Sequence, residues 1–249
     1  YNIGNGATIH IGNNNTPASQ VIGVYAAKAL PGLRVNGASA NTPRVAAKLE
    51  VVPATIGNLT IDGNTTFDAN GLNLTITGNM DATGSFVANG NTTYFSGTGA
   101  QTIKGGGTPV VFYNVDKTNS NALSLISGTP VTVTNNLYLR GGTFTDNGNT
   151  VTILGNVLND ATHVNNGTGD GIVMKGSVAQ GLSGNGAFGK LTINNLNGVN
   201  IPVGNELTIN GSLKMQGGVL NIGRNLLNIG VNANIEAAVP FSATNMIET

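Results

Sequence analysis

Asn136-Leu137-Tyr138-Leu139-Arg140-Gly141-Gly142-Thr143-Phe144-Thr145-Asp146-Asn147-Gly148-Asn149-Thr150-Val151-Thr152-Ile153 decides the reading of the whole chain. Apolar residues alternate with polar ones at Leu137 and Leu139 and again at Val151 and Ile153, and Gly-Gly and Asn-Gly separate these runs. Alternation over a few residues marks a strand with one buried face, and Gly and Asn accept the left-handed backbone of a tight corner. The unit is a strand followed by a corner. It returns from Ser212 to Ile229, where Leu213-Lys214-Met215, Gly217-Gly218 and Leu226-Leu227-Asn228-Ile229 repeat the pattern.

Outward from this stretch, similar runs come at short intervals from Leu49 onward: Leu59-Thr60-Ile61, Thr65-Thr66-Phe67, Leu72 to Ile76, Ser85-Phe86-Val87, Thr93-Tyr94-Phe95 and Gln101-Thr102-Ile103. Asn, Gly, Asp and Thr fill the intervals, as turn chemistry requires. A β-sandwich favours longer, hairpin-linked strands. Runs of three to five residues at corner-like spacing suit a chain that winds and stacks each turn on the last.

Internal repetition supports the same choice. Phe95 to Gly105 aligns with Met174 to Gly184 at an offset of 79, Tyr113-Asn114-Val115 with Leu191-Thr192-Ile193 at 78, and Leu137 to Gly142 with Leu213 to Gly218 at 76. The drift falls in Gly/Asn-rich connections, where loops absorb length changes that stacked strands do not. Two long repeats result, about 92–168 and 170–245, each of three or four coils of roughly 20 residues stacked about 4.8 Å apart.

Residues 1–48 are less regular. Ala7 to Ile11 and Val21 to Tyr25 read as strands, Ala26 to Leu30 is helix-tolerant and stops at Pro31, and Pro43 and Pro53 punctuate the rest. This region is expected to form an irregular N-terminal cap or the first coils of a β-helix spanning 49–249.

Composition bounds the function. Charged residues are 9% of the 249, against about 25% in ordinary soluble proteins. Aromatic residues are 5%, Cys and Trp are absent, and Gly accounts for 37 positions. Hydrophobic residues still reach 39% and alternate, which a disordered polar tract does not do. With net charge 0 there is no basic patch for nucleic acid or an anionic membrane. No run approaches the roughly 18 apolar residues of a membrane-spanning helix, and Tyr1 opens no signal-peptide pattern, so a soluble, mature or excised piece is expected. The lack of Cys excludes disulfides and thiolate chemistry.

Phe95-Ser96-Gly97-Thr98-Gly99-Ala100-Gln101-Thr102-Ile103, then Phe112-Tyr113-Asn114-Val115 with Lys117, then Leu137-Tyr138-Leu139-Arg140-Gly141-Gly142-Thr143-Phe144 and Asn147 to Gly155 resemble the repeats of large secreted surface proteins of Bacteroidetes bacteria. The resemblance spans roughly residues 59–249. It implies export by the type IX secretion system and an adhesin-like or gliding-associated role. No C-terminal sorting domain accompanies it, and Ala243 to Thr249 resembles a point where such chains run on into further domains.

Few residues suggest chemistry. Carbohydrate-cleaving β-helices need clustered carboxylates or bases on one face, and this chain has no adjacent acidic residues, no Gly-His-Gly and no Arg-x-Lys. Asp62, Asp68 and Asp81, or Asp146, Asp160 and Asp170, would have to converge, and the simpler reading makes each a turn residue. His163 between Asp160 and Asp170 matches no zinc or calcium template and reads as a solvated loop histidine, with His10 on the polar side of its strand. No catalytic, cofactor or metal site is assigned. In Tyr94-Phe95 and Phe112-Tyr113 neighbouring rings point to opposite faces, which leaves Tyr94, Tyr113 and Tyr138 as candidate glycan contacts. The Thr-rich strands around Thr75 and Thr132 reflect strand propensity, and the Asn-x-Thr/Ser sequons follow from composition.

The expectation is therefore an all-β, right-handed parallel β-helix. It acts as a non-enzymatic structural or adhesive segment of a larger extracellular surface protein or filament, with a carbohydrate-binding or carbohydrate-cleaving domain as the alternative. Expected partners are further domains of the same polypeptide or like subunits end to end, with Met246 and Ile247 at the assembly edge. Glycans or other surface components are further candidates, and neither nucleic acid nor membrane insertion is expected.

Overall fold

The computed structural model describes residues 6–13, 15–17, 19–36 and 45–249. The chain is a parallel β-solenoid of about ten turns, with a 24-stranded sheet, a second sheet of four strands and no helix among the described residues. Each turn lays one strand on each of three faces. In the turn that ends the opening stretch's first half, Leu123–Leu125 lies on the first face, Val131–Val133 on the second and Leu137–Leu139 on the third. The next turn repeats the order with Thr143–Thr145, Thr150–Ile153 and Val157–Asn159, each parallel to and in register with the strand before it. One turn takes from 19 residues (Phe144↔His163) to 27 (Leu220↔Ile247).

The alternation read from the sequence sets the burial. On the third face Ile56, Ile76, Phe95, Lys117 and Leu139 stack inward in successive turns, while Thr55, Thr75, Tyr94, Asp116 and Tyr138 stack outward. A single hydrophobic core runs from Ile11 to Ile222. The corners follow turn chemistry: Asn147 and Gly148 have φ of 50° and 75°, and Gly142 has φ of 66° with a Cβ position that would overlap the Ser120 carbonyl.

Asparagines tie one corner to the next. Asn114 accepts the backbone N–H of Asn136 (2.9 Å), Asn136 that of Asn156 (2.9 Å) and Asn156 that of Gly181 (2.7 Å). Each such bond satisfies a peptide group that the bent strand cannot pair itself.

The two sequence repeats do not superpose by whole turns. Gly171–Met174, which matches Thr92–Phe95, is the eleventh strand after it, and eleven is not a multiple of three. Phe95 therefore sits on the third face and Met174 on the second, and Leu137 on the third corresponds to Leu213 on the second. Register also corrects the alignment of one segment. Val115 precedes Leu137 by one turn and Leu191 precedes Leu213 by one turn, so Val115 matches Leu191 at an offset of 76.

The described part of residues 1–48 is wound into the same ladder. Ile9–Ile11 pairs with residues 33–35, and Gln20–Val24 pairs with Val45–Leu49. Leu30–Val35 is a strand that turns a corner at Pro31, which corrects the helix-tolerant reading of Ala26 to Leu30. Pro43 lies outside the described residues. At the other end, Ile229 and Ile235 are 39% and 42% exposed, whereas Ile209 and Leu213, which they continue by one turn, are fully buried. No described helix is long and apolar enough to cross a membrane.

Candidate functional site

The third face carries an outward row of functional groups that includes two of the candidate tyrosines. Tyr94, Asp116, Tyr138 and Leu158 occupy one outward row in four successive turns. Tyr94 and Tyr138 are thus two strand spacings apart, about 9.6 Å. Between them Asp116, with a largely buried side chain, is gripped by Arg140, whose Nε donates at 2.8 and 3.1 Å and whose Nη2 donates at 2.9 Å. The Arg140 guanidinium also lies 5.2 Å from the centre of the Tyr138 ring. Its hydrogen bond to Asp116 holds the guanidinium protonated above its ordinary range, against a smaller opposing effect of burial.

Of the three tyrosines named from sequence, this row unites Tyr94 and Tyr138. Tyr113 stands apart, 37% exposed just after Val110–Phe112, at the corner between the second and third faces. Phe95 and Phe112 are fully buried, so each aromatic pair divides between core and surface as alternation requires. One ring face of Tyr138 is taken by Arg140, which leaves Tyr94 and the phenol groups as the contacts this row offers a ligand. Met246 and Ile247 lie on Asn245–Glu248, the last strand of the third face, in register with Val219 and Leu220.

The carboxylates do not gather. Asp62 binds Arg34, Asp81 binds Lys104, Asp170 binds Lys214, Asp68 accepts from Asn70 and Asn89, and Asp160 accepts from the Asn185 backbone. Among the described residues no group of three or more His, Cys, Asp or Glu is placed to hold a metal.

Sequence reasoning missed two polar features of the core. His163 is a buried residue, not a solvated loop histidine: its Nε2 lies 2.8 Å from Asp146 Oδ2, and its ring packs between Phe144 (5.8 Å) and Phe188 (6.2 Å). Asp146 also accepts from Asn165 and from the Gly148 backbone, while His163 Nδ1 has no hydrogen-bond partner among the described residues. The signal was present, since His163 follows Phe144 by one 19-residue turn and alternates with exposed Thr162. The second feature is Lys117, fully buried, with Nζ donating to the carbonyls of Asn119 (2.7 Å) and Gly141. Burial holds its amine below the usual lysine value of 10.5. His10 is exposed on its strand, as its alternation indicated.

No family model, no curated protein and no solved structure matches this chain.

Proposed function

We propose that the chain is a non-enzymatic structural or adhesive segment of a larger extracellular bacterial surface protein or filament. The observation that carries this reading is how the polar side chains are spent. Asparagines bond backbone groups of the adjacent turn, and every aspartate is engaged by a cation, a histidine or a nearby amide. Side chains used in this way tie each turn to the next, which supports a structural role. A right-handed coil is part of the proposal, because parallel crossovers take that sense in about 98% of cases.

The partners fit the same reading. Ile229, Ile235 and Ile247 at the last described turn continue core columns, and a further parallel turn, from the same polypeptide or from a like subunit, is the surface that would bury them. The chain's zero net charge favours neither nucleic acid nor an anionic membrane. Export by the type IX route rests on the sequence resemblance alone.

Protease shaving of intact producing cells tests this directly. Release of fragments containing residues 92–168 from intact cells is expected, and fragments obtained only after lysis would refute the surface location. The Tyr94–Asp116–Tyr138 row favours a second reading, a carbohydrate-binding domain, for which Tyr94→Ala should weaken glycan retention.

A further inference from the structure

The second face is unzipped at one point. Its strands Gln20–Val24, Val45–Leu49, Thr66–Asp68 and Ser85–Val87 form the four-stranded sheet, and no ladder joins Ser85–Val87 to Val110–Phe112, the strand above it. The same two turns are paired on the first face, Met80 with Ile103, and on the third, Thr93 with Val115. Beneath the break the core is continuous, with the rings of Phe86 and Phe112 5.3 Å apart.

The cause is local. Phe112 follows Gln101 by 11 residues, whereas its counterpart Phe188 follows Gln180 by 8. The three extra residues lie in Gly105-Gly106-Gly107-Thr108-Pro109, and in the second repeat, which lacks them, the equivalent strands are bridged through Thr162 and Ala187.

The break interrupts the ladder at Phe86 and Val111. In a parallel ladder alternate residues turn both N–H and C=O to the same neighbour. Ser85 and Val87 face the strand below (Ser85 N–H to Thr65 O 2.9 Å, Ala69 N–H to Val87 O 2.8 Å), and Val110 and Phe112 face the strand above (3.0 and 2.9 Å). The groups of Phe86 and Val111 are left turned toward the break. A groove of about 400 Å³ lies over it. The side chains of Asn64, Thr66, Ser85 and Thr108 line this groove and bond to no described residue, and no charged residue lines it.

We propose that this groove binds a neutral saccharide unit, whose hydroxyls engage the unbonded side chains of Asn64, Thr66, Ser85 and Thr108. The apolar face of the sugar ring lies over Pro109 and the 42%-exposed Val111. An inserted peptide strand is excluded, because it needs about 4.8 Å on each side and the flanking faces hold these turns one spacing apart. An anion finds no cation here. The inference deepens the adhesive part of the reading above and rests on it.

The test is amide NMR of the isotope-labelled 249-residue chain titrated with cellobiose, laminaribiose, chitobiose and, as a charged control, digalacturonate. Saturable shifts of the Phe86 and Val111 amides are expected with at least one neutral disaccharide and not with digalacturonate. The double variant Thr66→Val/Thr108→Val should weaken binding at least tenfold, and Thr132→Val, on the same face two turns away from the break's lower strand, should not. Deleting residues 106–108, to match the second repeat, should abolish binding in a chain that still unfolds cooperatively. No saturation with any neutral disaccharide, equal binding of digalacturonate, or binding that survives the deletion would overturn the proposal. A folded chain that binds none of these sugars leaves the scaffold reading standing, whereas failure of surface exposure on cells is a failure of that reading.

Discussion

In the first repeat Gln101 stands at the corner between the third and first faces, and in the second Gln180 stands at the corner between the second and third. Their bonds are the same. Gln101 accepts from Gly97 N–H and donates to Ile76 and Gly78, and Gln180 accepts from Gly176 N–H and donates to Ile153 and Gly155. Asn119 and Asn195 each reach the glutamine oxygen in the next turn, and Asn149 and Asn225 bracket their own turns in matching ways. The module that repeats is thus a corner with its flanking strands, indifferent to which face it occupies. Three faces built of equivalent strands allow a repeat of three and two-thirds turns. Surface residues that match in sequence, such as Tyr138 and Lys214, consequently point in different directions.

The repeats differ where the first buries polar groups. Register matches Lys117, Asp146 and His163 with Ile193, Ile222 and Ile247. The largest effect should come from breaking the buried pair. Asp146→Ala alone is expected to lose about 3 kcal/mol or more, because His163, Asn165 and the Gly148 N–H lose a shared buried partner at once. Replacing both, as Asp146→Ile/His163→Ile, should recover most of that loss by adopting the second repeat's solution. Urea unfolding of the singles and the double checks this, and a double variant as unstable as the singles would mean that the pair has a role the apolar counterpart does not fill.

Next come the glutamines. Gln101→Leu and Gln180→Leu should each lose about 2–3 kcal/mol, because several buried peptide groups lose their partner at once. Equal losses on different faces sharpen the comparison, and a loss at only one would break the equivalence of the corners.

Lys117 gives a smaller, pH-dependent effect. Its amine titrates below the ordinary value of 10.5, so the folded chain holds fewer protons than the unfolded one between the lowered value and 10.5. Stability contributed at this site therefore rises as pH increases through that window, by about 1.4 kcal/mol for each pH unit of separation. Lys117→Ile should lose this rise, measured as the difference in unfolding midpoint from pH 7 to 10.5. A flat difference would contradict the burial of the amine.

The smallest effect belongs to Arg140→Met. The pair with Asp116 is half exposed on the arginine side, and a loss of about 1 kcal/mol or less, reduced by salt, is expected in thermal melts.

Much of this fold was legible. Alternation such as Leu137-Tyr138-Leu139 and corners such as Asn147-Gly148 carry local physics that acts within a few residues, and the 76-to-79-residue repeat pointed to stacked turns. The one-face rotation was not read, because it depends on how many strands fill the repeat and the sequence pattern shows only its length. His163 and Lys117 were misread or passed over because polarity suggested solvent, and only the neighbouring turns, with Phe144 and Phe188 around one and the Asn119 and Gly141 carbonyls around the other, explain their burial. Tyr94 and Tyr138 were found as single residues. Their common row with Asp116 follows from register, which alternation does not specify between turns.

A crystal structure at side-chain resolution tests the central claim most directly. The account predicts Leu213 stacked in register between Leu191 and Ile235, on the face that carries Val131 and Val151, with Leu137 one face away between Val115 and Val157. Leu213 found in the same column as Leu137, or strands pairing antiparallel between successive turns, would contradict it.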